Sequence, residues 1–173
     1  LHLPVSEINQ AVEGPRTDWD RFARMTPADP SWDGLHLAGD DNTFGVPALW
    51  VFSWYDISVA PNVALYKHAR ENTSTERARD AQHMIIGPLP HCQFGEEKKE
   101  SKVGDRDLGD ARFDYTARYL EWFDYWLKGV QNEALERPSV RYYQMGANTW
   151  ITGESFPPEG TRYIDLYLDS DGN

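Results

Sequence analysis

Apolar residues are distributed along this chain in patterns that change from one segment to the next. Val46-Pro47-Ala48-Leu49-Trp50-Val51-Phe52 is continuously apolar, which suits a strand of a parallel sheet covered on both faces. Met84-Ile85-Ile86-Gly87 is a second, shorter run with β-branched residues at its centre. Between them, Pro61 fits the first turn of a helix that carries Val63, Leu65, Tyr66 and Ala69. From Asp110 to Lys128 the spacing predicts a long helix, with a stripe of Phe113, Ala117, Leu120, Phe123 and Leu127 widened by Trp122 and Trp126. Gly129 stands where a left-handed residue would end it. Strand, helix, strand, helix is an α/β order.

The flanks differ in character. Residues 1–45 are irregular and punctuated by proline. Asp18 to Met25 predicts a short helix with Trp19, Phe22 and Ala23 on one side, stopped by Pro27 and Pro30. Asp29-Pro30-Ser31-Trp32-Asp33 predicts turns around a buried Trp, and the whole segment covers little apolar area by itself. The mixed charges of Glu96-Glu97-Lys98-Lys99-Glu100-Ser101-Lys102 predict a solvated loop. Ser139 to Met145 and the alternating run Tyr163 to Leu168 predict antiparallel strands opening a separate β-domain, with Asp169 to Asn173 turn-like after them. The chain starts at Leu1-His2-Leu3-Pro4 and ends on a strand-like run awaiting a partner, so a piece of a larger protein is expected.

Charge narrows the range of partners. The chain has 173 residues, with 28 acidic against 17 basic and a formal net charge of −11. An acidic surface repels phosphate backbones and anionic bilayers, so neither nucleic acid nor membrane is expected. No window approaches the roughly 20 apolar residues of a spanning helix. The single cysteine, Cys92, excludes an internal disulfide, and burial of a small free thiol is expected for it. His2, His36, His68 and His83 are scattered without zinc-ligand spacing, and the acidic residues Asp105, Asp107 and Asp110 lack a calcium-loop pattern, so no metal site is expected.

Two residues lie where an open α/β sheet places reactive groups, just past the carboxyl ends of strands. Asp56 follows the first apolar run in Ser53-Trp54-Tyr55-Asp56, and His91 follows the second in Gly87-Pro88-Leu89-Pro90-His91. The interval holds one strand–helix–strand passage, so neighbouring strand ends would bring them together. A carboxylate there can accept the imidazole Nδ1–H and leave Nε2 free as a base. The plainer alternatives are a helix cap for Asp56 and a packed loop residue for His91. Trp54 and Tyr55 are both candidates to line a substrate pocket beside Asp56; the plainer alternative is that one of them packs in the core, because neighbouring strand residues face opposite ways.

The run Val46 to Asp56 resembles the acid-bearing segment of the cocaine esterase and Xaa-Pro dipeptidyl-peptidase (peptidase S15) family, and Gly87 to His91 resembles that family's histidine-bearing G-P-W-x-H segment. Similar matches occur at Asp29-Pro30-Ser31-Trp32, Gly109, Trp122 to Gly129, and Val140 to Trp150, in collinear order. Ser53 replaces the family's usual Gly, and Leu89 its usual Trp. The resemblance implies a partial α/β-hydrolase fold: 1–45 as the tail of a helical cap, 46–132 as the C-terminal part of the hydrolase domain, and 133–173 as the start of a jelly-roll β-sandwich. It implies a serine hydrolase acting on acyl esters or X-Pro-type amides, with Asp56 and His91 as triad members and no cofactor. The G-x-S-x-G-type elbow that carries the family's nucleophile does not occur here, so the chain alone is expected to be inactive. The alternative is a non-catalytic interaction or assembly module that retains the fold. An open sheet edge also predicts self-association of the piece.

Overall fold

The structure is a computed structural model describing residues 4–35 and 38–168. His2, His36 and the turn-like Asp169 to Asn173 lie outside the described residues. The chain divides into two compact units, the first running to Asn42 and the second starting at Thr43.

The first unit holds two short helices, α1 (Ile8–Ala11) and α2 (Trp19–Phe22), and a 3₁₀ turn over Pro30–Gly34. Asp29 caps that turn by accepting the Ser31 N–H at 2.8 Å. Trp32 stacks on Phe22 with ring centroids 6.0 Å apart. Trp32 is exposed at 39%, so the expected burial of this Trp is not realised within the unit. With Trp19 and Phe22 also exposed, the unit does cover little apolar area.

In the second unit, β1 (Ala48–Tyr55) and β2 (Gln82–Pro90) are parallel neighbours, joined through α3 (Val59–Glu71) and α4 (Glu76–Asp80). Thr75 caps α4 by accepting the Ala78 N–H at 3.1 Å. A small antiparallel hairpin, β3 (Ser101–Val103) with β4 (Arg106–Gly109), leads to α5 (Tyr115–Lys128). Then come β5 (Val140–Gln144) and β6 (Thr149–Gly153). The main sheet runs β1-β2-β5-β6, with β5 parallel to β2 and β6 antiparallel to β5. Phe52, Tyr66, Met84, Ile86 and Val140 form a core cluster between α3 and the sheet. Leu89, Leu108, Ala111 and Tyr143 form another beside the hairpin.

Four expectations are revised. Residues 139–145 do not open an antiparallel β-domain of their own, because β5 adds to β2 in parallel through Met84–Val140 and its neighbours. Residues 163–168 form no strand and are solvent-exposed, lacking a partner among the described residues. The charged run is not wholly solvated: Glu97 and Ser101 are buried, since Glu97 turns back to accept the Gly95 N–H at 2.8 Å and Ser101 exchanges hydrogen bonds with the Lys98 backbone. Finally, α5 starts at Tyr115, capped by Asp114 through the Ala117 N–H at 2.8 Å. It buries Tyr115, Arg118 and Trp122, while the predicted stripe of Leu120, Phe123 and Leu127 faces outward. Apolar residues occupy both sides of this helix, and packing of Trp122 on His83 at 5.3 Å selects the other one.

Candidate active site

Parallel pairing of β1 with β2 sets Tyr55 opposite Pro90, so the residues that follow each strand emerge side by side. Asp56 leaves β1 in a tight turn, its N–H donating to the Ser53 carbonyl at 3.2 Å and its carbonyl accepting the Val59 N–H at 3.2 Å as α3 begins. Pro88 and Pro90 hold the end of β2 extended, and His91 opens the next turn, closed by the Gln93 N–H on the Pro90 carbonyl at 3.2 Å. The His91 Nδ1 and Asp56 Oδ2 are 2.5 Å apart.

The carboxylate's other oxygen is also engaged. Asp56 Oδ1 accepts the Ser58 N–H at 2.9 Å and the Ser58 hydroxyl at 2.7 Å. One carboxylate oxygen of Asp56 therefore closes the turn that leads into α3, whose N-cap is Ser58, and the other pairs with histidine. The hydrogen bond from His91, followed by those from Ser58, holds the Asp56 carboxyl at about 2, below its usual range. The Asp56 side chain is 10% exposed and that of His91 69%, so the acid lies under an open imidazole. With Nδ1 committed to Asp56, the ring's Nε2 is left to face an incoming group.

The remaining candidates separate. Trp54 is a packing residue: its indole N–H donates to the Tyr143 carbonyl at 2.7 Å and its ring lies among Tyr142 and Phe156. Trp54 thus packs in the core, and Tyr55 is exposed beside Asp56. Cys92 is exposed, against expectation, with a left-handed φ of 61° that turns it out of the core. Ser58 was not singled out by sequence reasoning, although Asp-x-Ser at a strand end is the signal of a side-chain-closed turn.

Behind this turn, on the α5 face of the sheet, Ser53, Glu97 and Tyr115 are buried around Gly87. A Cβ on Gly87 would lie 2.4 Å from the Tyr115 hydroxyl and 3.6 Å from Glu97 Oε1. Ser53, the neighbour of Gly87 across the strands, shares this corner. Among the described residues the hydroxyls of Ser53 and Tyr115 and Glu97 Oε1 make no hydrogen bond of good geometry, although Glu97 lies close enough to act on the Tyr115 hydroxyl. Burial, then the nearby Glu97, pushes the Tyr115 phenol up.

The model of the X-Pro dipeptidyl-peptidase (S15) family matches residues 4–93, a stretch that includes both Asp56 and His91. The chain belongs to that family. The resemblances read at Gly109, Trp122 to Gly129 and Val140 to Trp150 lie beyond the matched stretch of this S15 chain. A protein of Mycobacterium bovis named as a serine esterase is 27% identical over 106 residues, covering 61% of this chain and 16% of its own length. A Mycobacterium tuberculosis protein with the corresponding name matches to the same extent. Among solved structures, an aminopeptidase from a marine sediment Thaumarchaeota archaeon is similar, with TM-score 0.54 and 28% identity, covering 77% of this chain and 21% of that one. The S15 chain therefore spans about a fifth or less of the length of these relatives.

Proposed function

We propose that this chain is part of the catalytic domain of a serine hydrolase that cleaves acyl esters or X-Pro-type amides. In this reading His91 Nε2 takes the proton from a serine hydroxyl and returns it to the leaving group, while Asp56 fixes the imidazole tautomer and stabilises its cationic form. The observation that carries the proposal is the 2.5 Å contact of His91 Nδ1 with Asp56 Oδ2 at adjoining strand ends. The low carboxyl range of Asp56 favours the same roles, since the acid then stays ionised throughout the cycle.

No serine among the described residues occupies an elbow, and Ser58, the nearest in sequence to Asp56, is bound to the acid rather than to the base. The nucleophile and oxyanion donors are assigned to chain outside these 173 residues, in keeping with the greater length of the relatives. Residues 1–45 are assigned to the tail of a helical cap, and the chain beyond the sheet to the start of a jelly-roll. Esterase, X-Pro dipeptidyl-peptidase and aminopeptidase are the activities named among the family and its relatives, so esters and amides are the two bond types they point to.

Turnover of an aryl ester and of an X-Pro anilide by the whole protein tests the reading. His91→Ala is expected to lower kcat by several orders of magnitude with the fold intact, as removal of a triad member does. An unchanged rate would return His91 to a loop role.

A further inference from the structure

A cavity of about 360 Å³ lies between α5 and the sheet, bordered by Leu49, His83 and Ile85 from the amino halves of β1 and β2. Three arginines, Arg118, Arg137 and Arg141, contribute to its wall. That concentration is unexpected in a chain of net charge −11.

Two of the three guanidiniums are already satisfied. Arg118 is 8% exposed and pairs with Glu121, donates to the Ala134 carbonyl at 3.0 Å, and lies 3.4 Å from His83 Nδ1. Arg137 grips Glu121 at 2.8 Å and 3.0 Å and reaches Glu133 at 3.4 Å. Arg141 differs. It projects from β5 beside Ile85, and its guanidinium lies 5.3 Å over the Phe113 ring, with no ion pair or hydrogen bond among the described residues. The carboxylates in the wall are Glu121, shared by Arg118 and Arg137, and Asp114, which caps α5. Glu121 and Glu133 are thus committed to Arg118 and Arg137, and Asp114 to the start of α5, which leaves no carboxylate bonded to Arg141 among the described residues. Burial, and then the charges of Arg137 and Arg118, press the Arg141 guanidinium downward, the response of a cation short of a counter-charge.

We propose that this cavity binds a small oxyanion, a carboxylate or phosphate group, held by the Arg141 guanidinium. A planar fork of N–H donors with no partner matches two oxygens of such a group at once. A half-buried charge without a partner carries a desolvation cost that this pairing would offset. Leu49 and Ile85 give the remaining wall an apolar side that suits a short hydrocarbon body attached to the anion. The site is distinct from the His91 pair. Ile85 and His91 are separated along β2 by roughly 20 Å, at about 3.3 Å per strand residue.

Isothermal titration of the full chain with inorganic phosphate and with butyrate, at ionic strength fixed by chloride, tests the site. Saturable binding of at least one is expected, and the stronger of the two identifies the anion class. Arg141→Gln is expected to weaken that binding at least tenfold, with circular dichroism reporting the fold. Should that variant not fold, Arg141→Lys keeps the charge without the fork and is expected to weaken binding about fivefold. In the wild-type chain the Arg141 Nε–H resonance should move on titration, whereas that of Arg112, already paired with Asp110, should stay. No saturable binding, equal binding by a folded Arg141 variant, or an unmoved Arg141 resonance would overturn the proposal.

Discussion

Ser58 gives Asp56 two hydrogen bonds, from backbone and hydroxyl, and both go to the carboxylate oxygen that His91 does not use. The acid is therefore held from two sides, and its orientation toward His91 does not depend on His91 alone. Ser58→Ala removes the 2.7 Å hydroxyl bond and leaves the backbone one. In the whole protein a drop in kcat of about tenfold is expected, the scale of one hydrogen bond to a charged group. KM should be nearly unchanged, because Ser58 would act through Asp56 and not on substrate. Steady-state kinetics separates the two, and a large KM rise with constant kcat would contradict the positioning role.

The same relationship sets an acid limit. Asp56 has its carboxyl lowered to about 2 in the fold, below the ordinary aspartate value near 4. The unfolded chain therefore takes the proton first as pH falls, and the contribution of this carboxylate to stability is present above about 4 and lost on the way down to about 2. The carboxyl carbon of Asp56 should titrate with a midpoint near 2 by carbon-13 NMR, and Ser58→Ala should raise that midpoint. A midpoint near 4 in the wild-type chain would mean that the bonds to His91 and Ser58 are not formed in solution.

A second pH effect comes from the other side of the sheet. Burial, and then the charge of Arg118, hold His83 neutral down to about 4. Its ordinary value is near 6.5. Here too the unfolded state binds the proton first, so stability is full above about 6.5, declines as pH falls, and levels off below about 4. At about 1.4 kcal/mol per unit the loss reaches about 3 kcal/mol. Urea melts at pH 7 and pH 4.5 should show this decline in the wild type, and a smaller one in His83→Gln.

How much of this was legible beforehand depended on where the information resides. The Asp56–His91 pair was visible because two apolar runs each end in a polar, chemically apt residue, and parallel pairing of adjacent runs places those ends together. Trp54 and Tyr55 could be separated only by knowing which face of β1 meets Tyr142 and Phe156. The outward face of α5 was misread because Leu120, Phe123 and Leu127 satisfy helical spacing as well as Tyr115, Arg118 and Trp122 do. Charge runs suggest solvent, yet Glu97 is buried by a local bond to Gly95 that spacing does not reveal. The placing of β5 against β2 is a long-range choice, and alternation along a strand says nothing of its partner.

The crowded corner behind the site yields a pair of opposing mutations. Gly87→Ala places a methyl 2.4 Å from the Tyr115 hydroxyl and should destabilise by about 1–3 kcal/mol, the range for overpacking. Tyr115→Phe removes a buried hydroxyl that makes no well-formed hydrogen bond among the described residues, so it should cost little. The double variant should recover part of the loss, because the clashing atom is gone. Denaturant melts of the four proteins measure the coupling, and strictly additive changes would show that the two residues do not touch.

β1 ends the sheet, with β2 as its one strand neighbour among the described residues. Beside that edge, Leu120, Phe123 and Leu127 expose an apolar face of α5 at 58%, 52% and 76%. An unpaired edge next to uncovered apolar surface favours pairing with another chain. The net charge of −11 opposes this at long range but is screened beyond about 8 Å at physiological salt. Self-association of the 173-residue chain is therefore expected to strengthen with salt. Sedimentation velocity at two salt concentrations measures it, with Leu120→Glu/Phe123→Glu as the variant that should remain monomeric. Association that persists unchanged in that variant would move the contact away from α5, and a wild-type monomer at high salt would remove it altogether.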